Sequence, residues 1–293
     1  LYQAKRRYEV GLSGIVNVQQ ARAAHDQARA RTIQARQALT SARQVLRSLT
    51  AVPVAETLKG PGDTLPLNPP KPNNVDAWVD TGLQQNAKLN AAKLAARVAA
   101  HEVDRQQAVR YPNISVYASH YINDVASNNV FQNQNLTDNV VGIQVSLPIF
   151  SGGAIAARSQ QAKYQHVSAE AARKQQALLV RSNTVSDFSD VLSGIASVKA
   201  LRESVKSNAA SLHATGEAFK VGSATTLDVL RARDNLLNAQ TAYAQARYAY
   251  LLSMLQLKQD AGTLGPEDVK AMSEYFTELP KAKEPAAGSS AEG

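Results

Sequence analysis

The chain has 293 residues, a formal net charge of +8 and 44% hydrophobic residues, a balance that fits one large folded domain or two smaller ones and excludes wholesale disorder. Only 5% of residues are aromatic and Trp78 is the single tryptophan, so the apolar content is chiefly Ala, Leu and Val, which favours long helices over a core of large rings. The absence of cysteine excludes disulfides, thiolate nucleophiles, iron–sulfur clusters and Cys-based zinc sites, and fits the periplasm. Lys and Arg are scattered along helical segments rather than massed beside aromatics, so no nucleic-acid partner is expected.

The chain opens LYQAKRRYEV, without Met or a charged-then-apolar leader; this reads as the middle of a helix and implies a fragment. From about Ile15 to Thr50 the sequence is rich in Ala, Gln and Arg, without internal Gly or Pro, and predicts a long helix that Val52-Pro53 ends. Six prolines and two glycines between 53 and 74 mark a connector. A second helix, capped by Asn73 or Asn74, should run to about Arg110 and stop before Pro112.

The period then changes. Ile114, Val116, Ala118 and Ile122 alternate with polar or amphipathic residues, and from 140 to 150 Val141, Ile143, Val145, Leu147 and Ile149 do the same. Two strands of about ten residues, joined by a long Asn-rich loop, have the length and pattern of membrane-spanning β-strands. Taken alone they fit an amphipathic hairpin on a soluble sheet better. No apolar run is long enough for a transmembrane helix.

After Ser151-Gly152-Gly153 there is no proline from about Ala154 to Thr215, and a helix of that span would be on the order of 90 Å long. Its seam of Phe188, Val191, Ile195, Val198, Leu201, Val205, Ala209 and Leu212 should pack lengthwise on other helices. A turn at Gly222 leads into a last helix, about Thr226 to Ala261, with Leu230, Leu237, Ala244 and Leu251 at heptad spacing. The tail from Pro280 is too small and polar to pack and is expected to be disordered.

The chain repeats itself at an offset of 211 positions. Val10-Gly11 falls on Val221-Gly222, Val18 on Val229, Arg22 on Arg233, Arg36 on Arg247 and Leu46 on Leu257, with Asn17 opposite Asp228. A helix, a Val-Gly turn and a second helix therefore occur twice.

The segments YEVGLSGIVNVQQARA, SLPIFSGG, FKVGSATTLDVLRARDNLLNAQ and ARYAYLLSMLQLKQDAGTLGPEDV resemble the TolC family of outer-membrane exit ducts, in the family's order from Leu1 to about Leu279. The resemblance implies a mainly α fold with a β-hairpin. Long coiled-coil helices would form part of an α-barrel, and the two strands would belong to a trimeric, twelve-stranded β-barrel. Six segments follow: 1–50, the end of the first repeat; 51–74, the connector; 75–111, a helix of the second repeat; 112–150, the transmembrane hairpin and its loop; 151–262, a long helical hairpin with a periplasmic tip; and 263–293, an equatorial segment and tail. Three copies of this chain bring six strands, below the roughly eight of the smallest closed bacterial barrels, so the fragment should not form the pore by itself.

The resemblance also supplies a function: passive conduction from a tripartite efflux or type I secretion machine through the outer membrane, with the helices in the periplasm. The implied partners are a periplasmic adaptor, an inner-membrane ABC or RND pump, two further copies in a homotrimer, and outer-membrane lipid. Val10, Gly11 and Leu12, with Val221, Gly222 and Ser223, match the tips where an adaptor docks. Asp228 matches one constriction-ring aspartate, but Arg231 stands at the second. Phe219, Ala224 and Asn17 replace a tyrosine, an arginine and an aspartate of the family's closing network. Phe219 lacks a hydroxyl and Ala224 cannot form a salt bridge. Three residues apart on a helix, Asp228 and Arg231 share a face and are expected to pair.

No catalytic constellation is present and no enzyme, cofactor or metal is expected. Gly11-Leu12-Ser13-Gly14 is one residue short of a nucleophile elbow, Ser151-Gly152-Gly153 lacks dinucleotide spacing, and His25, His101, His120, His166 and His213 are dispersed. The alternative of another class is a coiled-coil scaffold or adhesin without a pore.

Overall fold

The computed structural model describes residues 1–11, 13–53, 59–62, 65–125 and 134–278. The expectations for Leu12, for the crest of the hairpin loop and for the tail from Pro280 fall outside them. In chain order the elements are α1 (Tyr2–Glu9), α2 (Ile15–Thr50), β1 (Lys59–Pro61), α3 (Val75–Gln85), α4 (Ala87–Ala108), β2 (Asn113–Val125), β3 (Gln134–Ser146), α5 (Ala154–Lys220), α6 (Thr226–Ala261), α7 (Pro266–Ser273) and β4 (Phe276–Glu278). Contacts divide the chain into two units, one of 1–78 with 184–293 and one of 79–183.

The first unit carries the repeat. α2 and α6 each have 36 residues and start 211 positions apart, and the glycines ahead of them, Gly11 and Gly222, both adopt left-handed φ, at 74° and 82°. Gly222 closes α5: its N–H donates to the Phe219 carbonyl at 3.2 Å, and the Ser223 N–H donates to the Ala218 carbonyl at 2.9 Å. This doubled bond satisfies carbonyls that a helix end leaves open and requires positive φ at the glycine. Ala21 and Ala232, also 211 apart, are both buried, so the repeat extends to the small residues that let helices approach.

The core gathers Phe188, Val191, Ile195 and Val198 of α5 with Tyr250, Leu257 and Ala261 of α6 and with Trp78. The α5 seam is thus buried in its first half and only half-buried at Leu201, Val205 and Leu212. The α6 register differs from the expected leucine heptad. Leu237 is 52% exposed, whereas Ala232 and Ala239, two positions on, are buried. Small side chains, not leucines, occupy that stretch of the packed face.

α6 also fastens the proline-rich connector. The Tyr250 hydroxyl donates to the carbonyls of Pro66 and Asn68 at 3.1 and 3.2 Å, and the Arg247 guanidinium donates to those of Pro61 and Gly62. The segment ahead of this anchor pairs as β1 with β4, Gly60 opposite Thr277.

The helix expected to follow a cap at Asn73 or Asn74 and to end at about Arg110 is two helices, α3 and α4. The Asn86 side chain accepts from the Leu89 N–H at 3.0 Å and is 4% exposed, so it caps α4 and separates it from α3. β2 and β3 are antiparallel with 13 residues each, in register from Asn113 opposite Ser146 to Val125 opposite Gln134. The strands therefore run into the segment expected to be loop, and β3 ends before Leu147-Pro148 rather than at 150. Proline lacks the N–H that a ladder needs, whereas the Asn-rich flanks keep theirs.

Candidate functional site

Both turns of the first unit are bare. Val10 is 66% and Val221 81% exposed, and Gly11, Gly222 and Ser223 are exposed with them. Nothing lies within 4 Å of a side chain built at either glycine, so each is required by its φ and by no close neighbour. The Ser223 hydroxyl bonds back to the Ala218 carbonyl at 3.0 Å and stiffens its turn.

A groove of about 370 Å³ lies beside these turns, bordered by α1, the end of α5 and the starts of α2 and α6. It brings together Asn17, Phe219 and Ala224, three of the five expected constriction residues. The Asn17 amide donates to Ser13 Oγ at 2.9 Å within its own turn. Ala224 lines the groove with a methyl group. Arg7, which sequence reasoning did not single out, places its guanidinium 4.4 Å from the centroid of the Phe219 ring. That cation–π contact joins α1 to α5 and gives the Phe219 ring a partner without a hydroxyl.

Asp228 and Arg231 do not border the groove, and the ion pair expected between them is not formed. The Asp228 carboxylate instead accepts from the Thr225 N–H at 2.9 Å and its hydroxyl at 2.6 Å, while the Asp228 N–H donates to Thr225 Oγ1 at 3.2 Å. This reciprocal box caps α6 and holds the Asp228 carboxyl below the usual aspartate range, through the Thr225 side chain first and its backbone second; Arg231 contributes only at longer range. A cap at the N-terminus satisfies two otherwise open N–H groups, which an exposed i, i+3 ion pair cannot match.

The hairpin presents two chemically distinct faces. One carries Ile114 opposite Val145, Val116 opposite Ile143 and Ala118 opposite Val141, with exposures of 62% to 80% for the five branched residues. The next rung is polar, His120 hydrogen-bonded to Asn139, and it interrupts the apolar band. Over the same rungs the other face carries Ser115, Gln144, Tyr117, Gly142, Ser119, Tyr121 and Asp138, with Val140 its one aliphatic residue there. A Cβ on Gly142 would lie 2.7 Å from the Tyr117 ring, so the glycine lets that ring lie across the neighbouring strand. No helix among the described residues is long and apolar enough to cross a membrane.

The family model described as outer membrane efflux protein matches residues 78–263. Outer membrane protein TolC of Escherichia coli is 31% identical over 286 residues, covering 93% of this chain and 57% of that protein. Proteases secretion protein PrtF of Dickeya chrysanthemi is 28% identical over 218 residues, 74% of this chain and 47% of that one. Among solved structures, the outer membrane protein VceC of Vibrio cholerae superposes with a TM-score of 0.68 at 22% identity, over 89% of this chain and 61% of its own, a likeness of fold. The chain thus spans about half the length of the curated relatives it matches. With a family match over more than half its residues, the chain belongs to the outer membrane efflux proteins, a family of outer-membrane channels.

Proposed function

We propose that this chain supplies the second repeat, and the end of the first, of a passive exit duct that carries drugs or proteins out through the outer membrane. The observation that carries the reading is the hairpin. Thirteen residues at about 3.4 Å each reach on the order of 44 Å, enough to cross an apolar band of about 25 Å at a tilt near 40°. An exposed face of Val and Ile that would be a liability in water is what lipid solvates. A coiled-coil scaffold gives no reason for such a hairpin.

In this reading the full-length protein is a homotrimer, drawing no energy and holding no cofactor, and it catalyses no reaction. An ABC or RND pump of the inner membrane drives transport through a periplasmic adaptor. The bare turns at Val10-Gly11 and at Val221, Gly222 and Ser223 are the docking tips, with Leu12 completing the first. Asp228, Arg231, Asn17, Phe219 and Ala224 set the constriction, and the six segments described above are its structural divisions. The name of PrtF, a proteases secretion protein, and the description of the matched family as outer membrane efflux protein support export as the role. Deleting the native gene tests it: export of the cognate compound or protein should fail and return on re-expression. Unchanged export, with a protein extractable without detergent, would contradict it.

A further inference from the structure

The apolar face of the hairpin is much shorter than the hairpin itself. Ile114 opposite Val145, Val116 opposite Ile143 and Ala118 opposite Val141 are its apolar rungs. The next is His120, whose Nδ1 is hydrogen-bonded to Asn139 Oδ1 at 2.5 Å, with both residues exposed. The register then runs through Ile122 opposite Thr137 to Asp124 opposite Asn135. At a rise of about 3.4 Å and a tilt near 40°, a strand advances about 2.6 Å per residue along the membrane normal, so these apolar rungs supply about 10 Å of a band about 25 Å tall. The remaining height must come from one side of them or the other.

Toward the helices the chain stays apolar after pairing stops. Leu147 and Ile149 continue the alternate positions of β3 beyond its last residue, Ser146. Leu147 is exposed, Ile149 is 94% and Phe150 90% exposed, and Tyr111, two residues ahead of β2, is exposed with them. From Asn139 onward no charged residue occurs before Arg158, and Arg110 directly precedes Tyr111. A bilayer centred on the paired rungs would enclose the His120–Asn139 pair and the level of Asp124 while leaving Ile149 and Phe150 in water, which sets polar groups in lipid and apolar groups in solvent. A bilayer that starts below His120–Asn139 reaches Ile149 ten residues on, about 26 Å at strand rise, which matches the band.

We infer that the hydrocarbon of the outer membrane is bounded by the His120–Asn139 rung on the crest side and by Tyr111 and Leu147–Phe150 on the helix side, so that the latter segment is a lipid anchor and the upper rungs stand clear of the acyl chains. The Tyr111 and Phe150 rings lie where aromatic girdles are favoured. Irregular backbone is excluded from the bilayer centre, and here it falls at the interface, with Pro148 presenting no N–H to leave unpaired.

This placement rests on the hairpin's crossing the membrane as proposed above, and the test separates the two. Full-length protein in phosphatidylcholine vesicles carries one nitroxide at a time on a cysteine at 116, 120, 139, 143, 149 or 150, with the unsubstituted protein as blank. Collisions with lipid-soluble oxygen should exceed those with a water-soluble nickel chelate at 116, 143, 149 and 150, and the ratio should be at least about fivefold higher at 143 than at 120 or 139. In parallel, Val116→Lys should lower the yield of inserted protein at least about tenfold, and His120→Lys should change it less than about twofold. Lipid-buried labels at 120 or 139, or labels at 149 and 150 that meet the chelate or are shielded from both probes, would overturn the placement and leave the crossing intact. Equal losses in the two lysine variants would overturn it as well. Chelate access at 116 and 143 would overturn the crossing and the placement together.

Discussion

A carboxylate at the third position of a helix has an immediate use, and Asp228 is committed to it. Replacing Thr225 with Ala should cost about 1 kcal/mol of local stability, and Thr225→Ser should cost little. Amide exchange in the first turn of α6 measures both. Because the Asp228 carboxyl is held below its ordinary value of 3.8, its contribution is present above that value and is lost as pH falls through the lower folded one. The first turn of α6 should therefore fray only in acid, and in Asp228→Asn the protection there, corrected for intrinsic exchange rate, should be independent of acidification. The Arg7–Phe219 contact makes a second residue-scale prediction. A double-mutant cycle of Arg7→Ala and Phe219→Leu should give a coupling of about 0.5–1 kcal/mol, and strictly additive effects would show that the stacking contributes nothing.

At the scale of elements, the packing of α6 rests on a few well-enclosed side chains. Leu257, 1% exposed within the core, should cost about 2–5 kcal/mol when cut to Ala, read from the thermal midpoint of the full-length protein. How far such elements were legible in the sequence depended on local chemistry. The limits of α2 and α6 were readable because turn glycines and a proline-rich stretch punctuate them, whereas the Thr225 cap emerged only with its hydrogen bonds. The break at Asn86 was not, since an asparagine within a polar, Ala-rich segment looks like any surface residue until its side chain is seen on the Leu89 N–H. The strands were placed but not bounded: period-two alternation shows a strand only where one face is apolar, and pairing continues into Asn-rich sequence without it. The two turns and three groove residues followed from the repeat and the family pattern. Arg7 and Phe219 lie too far apart in the chain for any spacing rule to join them.

At the scale of the whole molecule, the repeat and the hairpin together define a claim about where charge and lipid meet. Asp228 and Arg231 occupy neighbouring positions near one tip, so in a trimeric duct their charges should largely offset one another and leave weak cation preference. Reversal potentials across a salt gradient should shift toward cation selectivity in Arg231→Ala; strong cation selectivity already present, and unchanged by the substitution, would refute the offset. Because these 293 residues contain no cysteine, single cysteines placed in the hairpin compete with no native thiol of this segment. Labels at 114, 116, 143 and 145 should be quenched from the lipid phase, and labels at 115, 119 and 144 should react with water-borne thiol reagents. The most direct test of the central claim is planar-bilayer recording from the native full-length protein purified out of its source outer membranes. Stepwise, reproducible ion conductance is the predicted result, and a detergent-extracted, folded protein that inserts without conducting would contradict the account.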